Sequence, residues 1–207
     1  MWGLFGIIIH MDEKAKQHLS RDPIMKSLLD RCDIKEYWGQ QNNPFLDLIE
    51  IIIGQQLSVK AAKSIYTRFL SLFPNSPTPE EITSLSLETL RSIGLSGSKS
   101  LYVKNIAQAI INREIISDSF NSLTDEEISN QLLKIKGIGP WTVEMFLIFT
   151  LRRPDIFSVG DLGLRTAIEK QYGLDRSNKK AIIKLADTWR PFRTHACRLL
   201  WMSLEKV

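Results

Sequence analysis

Soft metal ligands are scarce in this 207-residue chain: it has two cysteines and three histidines. Cys32 and Cys197 stand far apart, with no C-x-x-C pair and no mixed Cys/His cluster. That excludes a zinc finger and a cysteine-held iron–sulfur cluster, and it suits a reduced cytoplasmic setting. His10, His18 and His195 show no triad or ligand spacing and read as ordinary surface or core histidines. Long hydrophobic runs are missing too. The apolar stretch Leu4–Ile9 is too short to span a bilayer, and no basic segment precedes it, so no membrane role is expected. It is either a short buried segment or part of an extension, because Met11 opens a polar helical stretch; Met1–His10 is assigned no function. There is no low-complexity tract and no repeat of about 20–50 residues.

Strand-like alternation is also absent. Ile51-Ile52-Ile53 is β-branched, but it continues the stripe Phe45–Leu48–Ile49 and reads as buried helix. Apolar residues at helical spacing predict helices over 12–31, 44–54, 58–73, 79–92, 98–114, 124–134, 140–151, 161–171, 177–189 and 191–204. Start signals support several of them. Ser58 precedes one helix, Thr78-Pro79-Glu80-Glu81 places Pro and two acids in a first turn, and Thr124-Asp-Glu-Glu127 is a capping-box pattern. The expected fold class is all-α.

Charge is distributed unevenly. From Gln131 onward there are 14 Lys or Arg against 7 Asp or Glu, a surplus of +7, while the rest of the chain carries −3 of the overall +4. A basic C-terminal third suits a polyanionic partner, although a solvated lysine-rich face gives the same count. Within that third, Gly137-Ile138-Gly139 separates two helical patterns. Glycines there permit positive φ and keep side chains out of the way of a ligand. Amides at the start of the next helix face outward, where the dipole favours an anion, and Pro140 suits a first helical position. Lys134 and Lys136 add charge. Such a helix–hairpin–helix can grip phosphate without reading sequence; a plain helix–turn–helix connection with glycine at the helix end is the alternative. Asp161 follows 24 residues after Gly137.

With Asp161 in place, the stretch Leu133-x-x-x-Gly137-Ile-Gly139-Pro-Trp141-Thr, then Phe157-Ser-Val-Gly-Asp161-Leu-Gly-Leu-Arg165, resembles the helix–hairpin–helix–Gly/Pro–Asp superfamily of DNA glycosylases. Three further stretches are similar to its 3-methyladenine DNA glycosylase II branch. They are Ile52-Ile-Gly54-Gln55-Gln56-Leu57-Ser58-Val59-x-Ala61-Ala62, the smaller hairpin Ile93-Gly-Leu-Ser-x-x-Lys99-x-x-Tyr102-Val, and Trp189-Arg-Pro-Phe-Arg193 followed by Trp201. Their order and spacing fit from about residue 16 to the end. The resemblance implies one domain of two helical lobes flanking a cleft for DNA and a flipped base. One lobe would span about 12–45 plus 155–207, the other about 46–154 with the hairpin at 132–150. So little chain precedes Gly54 that a compact form without the N-terminal β domain of some relatives is expected.

Departures from the wider family are informative. Relatives that also cut the strand carry lysine just after the hairpin's second glycine, in G-x-G-x-K; here Trp141 stands there, so no amine is placed to form a Schiff base. The four-cysteine cluster loop of other relatives is missing. The resemblance therefore implies a monofunctional glycosylase of alkylated purines, chiefly 3-methyladenine, with 7-methylguanine and ethenoadenine as further substrates. It would act as a monomer on double-stranded DNA in the cytoplasm, at the nucleoid or in the nucleus. The readings set against it are a non-catalytic DNA-binding module and a glycosylase/lyase for oxidised bases.

Base removal needs a phosphate grip, a plug for the vacated stack, and a pocket with a carboxylate. By resemblance, the grip is the backbone of Gly137, Ile138 and Gly139 with that of Trp141, supported by Lys134 and Lys136. No cofactor is expected beyond a monovalent cation, Na+ or K+, on the hairpin carbonyls of Lys134 and Gly137. The plug is Gln56 or its neighbour Leu57, whereas Gln55 is read as bonding backbone groups between two helices. Asp161 is the catalytic carboxylate, stabilising an oxocarbenium-like sugar or activating water, and it also suits a helix N-cap. Trp141, Met145, Trp201 and Phe45 would form the base pocket, since ring faces attract a cationic base; for Trp201 a place in the core is the strong alternative. Glu144 would line the pocket or form a surface ion pair. Arg165, Arg190 and Arg193 are candidate phosphate contacts, the last two also candidate ion-pair partners. Asp155 reads as a loop acid.

Overall fold

A computed structural model describes Met11, residues 13–32 and residues 43–204; the segment Met1–His10 lies outside the described residues. The described chain is helical, with no strand among its residues. Twelve α-helices follow in order: α1 Glu13–Leu19, α2 Pro23–Arg31, α3 Pro44–Gly54, α4 Val59–Leu70, α5 Pro79–Ser84, α6 Leu87–Ser92, α7 Gly97–Ile111, α8 Asp125–Leu132, α9 Pro140–Met145, α10 Leu162–Tyr172, α11 Lys179–Asp187 and α12 Arg193–Met202. A 3₁₀ turn at Ser117–Ser122 had no periodic signal in the sequence. None of the described helices is long and apolar enough to cross a membrane.

Local chemistry sets the boundaries, and it divides two stretches that periodicity alone joins. The expected helix over 12–31 breaks at Asp22-Pro23. Asp22 Oδ1 accepts the amides of Ile24 and Met25 at 2.9 and 3.2 Å, and Pro23 has no amide to continue the preceding ladder. The expected helix over 79–92 breaks at Ser86, whose hydroxyl caps Thr89 at 3.0 Å. The expected capping box forms between Thr124 and Glu127, and a second forms between Thr78 and Glu81, where only a first-turn proline and acids are expected. The hairpin's second helix does not run evenly to residue 151. After Met145 it widens into a π turn over Phe146–Thr150, closed by the Leu151 amide on the Phe146 carbonyl at 3.1 Å.

The described residues form two compact units, one over 43–151 and the other joining those before residue 33 to 152–204. In the first, α3 is the central element, packed on α4, α7, α9 and the π turn. Leu48, Ile49, Ile52 and Ile53 of α3 are wholly buried, as the Ile51-Ile52-Ile53 reading expects. In the second, α12 packs on α2 and α10. Its side chains from Thr194 to Trp201 are all buried. Asp22 anchors this unit as well: its Oδ2 accepts Tyr172 Oη at 2.7 Å and Trp189 Nε1 at 3.1 Å.

One half-buried carboxyl in α3, that of Glu50, makes stability depend on pH. Burial, and then the Asp47 carboxylate one turn earlier, raise Glu50 to about 7. The Tyr66 phenol on α4 feels both acids and is pushed above its usual range, chiefly by burial. A raised carboxyl pKa means that the folded state holds the proton more tightly than the unfolded chain. Glu50 therefore favours folding fully below its ordinary pKa near 4.5, and that advantage is lost as pH rises through about 7. Glu50→Gln should stabilise the protein at pH 8–9 by about 1–2 kcal/mol, allowing for residual solvent contact, or roughly 2–8 °C in Tm. At pH 4 it should change little. Thermal melts at both pH values check this; an equal shift at both would remove the titration argument.

Candidate functional site

The hairpin forms between α8 and α9. The Ile135 amide bonds the Leu132 carbonyl, and the Ile138 amide bonds the Ile135 carbonyl, both at 3.0 Å. Ile138 thus spends its amide on closing the turn and buries its side chain, while Gly139 leads into α9. Gly137 has φ 111°, in the region that favours glycine. A Cβ there would come closer than 3.0 Å to the Tyr102 ring. A Cβ on Gly139 would meet nothing within 4 Å, so this residue presents bare backbone. Lys134 and Lys136 are exposed beside the turn.

The Gln55–Ser58 turn belongs to the same unit. Gln55 ends α3 and reaches the hairpin: its Nε2 donates to Thr142 Oγ1 at 2.9 Å and lies 3.5 Å from the Gly137 carbonyl oxygen. Gln55 thus bridges α3 to the hairpin, but mainly through a side-chain hydroxyl rather than through the backbone groups expected. Gln56 stands out in solvent at φ 58°, a left-handed conformation that costs a non-glycine residue about 1–2 kcal/mol. The Leu57 amide bonds Gly54 O at 3.2 Å, and Ser58 Oγ caps α4 at the Ala61 amide at 3.3 Å. The exposed strained position is therefore Gln56, with Leu57 half-buried behind it.

Asp161 lies in the second unit, 6 % exposed. Its carboxylate caps α10, with Oδ1 accepting the Leu164 amide at 2.7 Å. The same Oδ1 accepts Trp201 Nε1 at 3.0 Å. Two N–H donors and the N-terminus of an eleven-residue helix thus hold the anion in one orientation. The approach to it is fastened to α12. Thr194 Oγ1 donates to the Arg153 carbonyl at 2.6 Å and accepts the Ile156 amide at 3.0 Å. Asp155 pairs with Arg193 at 2.7 Å and Arg190 at 2.8 Å. Asp155 is thereby a structural loop acid, and both arginines are ion-paired. Arg165 donates to the Arg176 carbonyl at 3.0 Å.

The proposed pocket side chains differ in what they present. Trp141 is half-buried beside the hairpin, and Glu144 is half-buried on the same helix. Phe45, Met145 and Trp201 are 5, 2 and 0 % exposed and sit in the cores of their units. Trp201 meets the site through its N–H on Asp161 rather than through an open ring face. Sequence reasoning passed over Leu162, which follows Asp161 and is 58 % exposed; the only signal for it was an apolar residue in a first helical turn. Among the described residues, no group of three His, Cys, Asp or Glu could hold a metal ion.

Residues 49–191 match the model of the HhH-GPD superfamily base excision DNA repair proteins. DNA-3-methyladenine glycosylase 1 of Schizosaccharomyces pombe is 39% identical over 79% of this chain and 74% of its own length. The alkylbase DNA glycosidase-like protein mag2 of the same yeast is 33% identical, over 91% of this chain and 92% of its own. The solved structure of the S. pombe 3-methyladenine DNA glycosylase Mag1, in complex with abasic DNA, superposes with a TM-score of 0.85 at 36% identity, covering 92% of this chain and 96% of that one. With the family model matched over residues 49–191 and relatives above 30% identity over most of both chains, the chain belongs to the HhH-GPD superfamily of base excision DNA repair proteins.

Proposed function

We propose that this protein is a monofunctional DNA glycosylase that hydrolyses the N-glycosidic bond of alkylated purines, with 3-methyladenine the principal substrate. The observation that carries the reading is Asp161, a nearly buried carboxylate fixed by the Leu164 amide and the Trp201 indole. A preorganised anion of this kind stabilises the positive charge that grows on the sugar as the base departs, and it can orient the attacking water. 3-Methyladenine and 7-methylguanine carry positive charge while still attached to the sugar and leave readily, so one carboxylate suffices for them; ethenoadenine is neutral and needs more help with the leaving group. Trp141 in the position of the hairpin lysine supports hydrolysis without a covalent intermediate. Its half-exposed indole supports stacking on a cationic base, and Leu162 offers an apolar surface next to the acid.

Phosphate would be held at the hairpin by the backbone around Gly137 and Gly139, with Lys134 and Lys136 adding charge. A monovalent cation, Na+ or K+, would sit on the carbonyls of Lys134 and Gly137. The Gly137 carbonyl is only at the limit of hydrogen-bond range from Gln55, and a carbonyl keeps a second lone pair. Gln56 would fill the space the flipped base leaves.

The test is release of 3-methyladenine from methylated duplex DNA, with 7-methylguanine and ethenoadenine measured alongside. No release would overturn the reading, and a borohydride-trapped protein–DNA adduct would contradict its monofunctional part. Trp201→Phe keeps an aromatic ring in the core but takes one donor from Asp161 Oδ1. It should slow single-turnover release about tenfold while leaving affinity for abasic duplex within about twofold. A variant as fast as wild type would show that the indole N–H has no part in the chemistry.

A further inference from the structure

The third sequence match, Ile93 to Val103, has no part in the site described above, yet its residues touch both halves of the DNA-facing machinery in the first unit. Lys99, Tyr102 and Asn105 recur at three-residue spacing along α7 and share one side of that helix. Lys99 Nζ donates to the Ile53 carbonyl at 2.9 Å and the Gln55 carbonyl at 2.6 Å. Those carbonyls close the end of α3, where a cation is favoured, and the second belongs to the residue just before Gln56. Tyr102 lies against Gly137 so closely that no side chain fits there. Asn105 Nδ2 donates to the Lys136 carbonyl at 3.0 Å. Gln55 closes the circuit by donating to Thr142 Oγ1 on α9.

We infer that α7 is a coupling element. Lys99, Tyr102 and Asn105 are positioning residues that lock the Gln56 turn and the 136–139 hairpin into one rigid body, so that gripping phosphate and inserting the plug are a single event. The inference rests on the glycosylase reading given above and adds to it a role for a helix that need not touch DNA. Its physical basis is the strain at Gln56. A left-handed glutamine persists only where its neighbours over-determine the backbone. The carbonyl just before it is held by Lys99, and the amide just after it is held by Gly54. Lys99 also sits on the helix that fixes the hairpin, so a displacement of either turn is transmitted to the other.

A double-mutant cycle separates coupling from mere support of the fold. Affinity is measured for a duplex with a tetrahydrofuran abasic-site analogue and for the same duplex undamaged. Gln56→Ala is made in three backgrounds: wild type, Lys99→Met and Asn105→Ala. Lys99→Met keeps the aliphatic stem and removes the ammonium. Asn105 touches the hairpin at Lys136, and its replacement supplies the comparison even if Lys99→Met fails to fold. Gln56→Ala should weaken abasic-duplex binding about tenfold in wild type and about twofold or less in the other two backgrounds, with undamaged-duplex affinity insensitive to Gln56 throughout. An equal penalty in all three backgrounds overturns the coupling, as does the absence of a penalty in wild type. Release of 3-methyladenine by wild type is assayed in parallel. If base is released and the penalties are equal, the coupling alone falls; if none is released, the glycosylase reading falls and takes the coupling with it.

Discussion

Asp161→Asn should bind abasic-site DNA about as well as wild type and release 3-methyladenine on the order of 10²–10³-fold more slowly, the cost of removing one preorganised electrostatic stabiliser. The substitution isolates charge. Asparagine keeps the shape and an acceptor oxygen, so the bonds from the Leu164 amide and Trp201 Nε1 can persist. Asn is also as good an N-cap as Asp, so α10 should stay capped and the melting temperature should move little. What disappears is the negative charge proposed to stabilise the cationic sugar as the base departs. Single-turnover release with enzyme in excess reads the chemical step apart from product release. A variant that hydrolyses at the wild-type rate would remove Asp161 from the mechanism. One that loses activity together with its melting transition would show that capping α10 was its main contribution.

The parts of this site legible in the sequence are those whose chemistry is local. Gly137 and Gly139 mark the hairpin because a turn needs them within a few residues, and Asp161 marks a helix start because an N-cap bonds a residue three positions on. The same locality explains why the Gln56 turn was found: it sits between the end of α3 and the Ser58 cap. Contacts made across tens of residues were hidden. Trp201 reaches Asp161 over 40 positions, and its place in the apolar run Leu199-Leu200-Trp201 fits core and pocket equally well. Phe45 and Met145 show the same limit, because helical periodicity identifies a buried face without saying what that face covers. Lys99 matched the family pattern, yet nothing nearby in sequence shows that its ammonium closes α3, 44 and 46 positions away. The split at Asp22-Pro23 was legible in principle. An acceptor followed by proline is a helix start, and the apolar pattern also lapses over Ser20-Arg21-Asp22 before resuming at Ile24.

Gly137→Ala and Gly139→Ala should separate folding of the hairpin from the grip on phosphate proposed for it, since the two glycines stand in different surroundings. At Gly137 the backbone has φ 111°, and an added Cβ would overlap two atoms of the Tyr102 ring and the Tyr102 Cβ. Backbone strain of about 1 kcal/mol and overpacking of about 1–3 kcal/mol act together there, so a loss of roughly 2–4 kcal/mol is expected. That corresponds to about 4–16 °C in Tm for a chain of this size. Tyr102 cannot yield without disturbing α7, so the hairpin should shift and DNA affinity fall with stability. Gly139 has an ordinary extended φ of −108° and open space where a Cβ would project. Alanine there should cost the fold less than about 1 kcal/mol, the difference between glycine and alanine at an N-cap. The new methyl group would nevertheless stand where a phosphate must approach bare backbone, and duplex affinity should drop about fivefold or more at constant salt. Calorimetry paired with anisotropy titration distinguishes the outcomes. A Gly139→Ala protein that binds duplex normally would mean that phosphate does not approach at this turn. A Gly137→Ala protein that melts like wild type would mean that Tyr102 and the hairpin are not packed as tightly as their geometry requires.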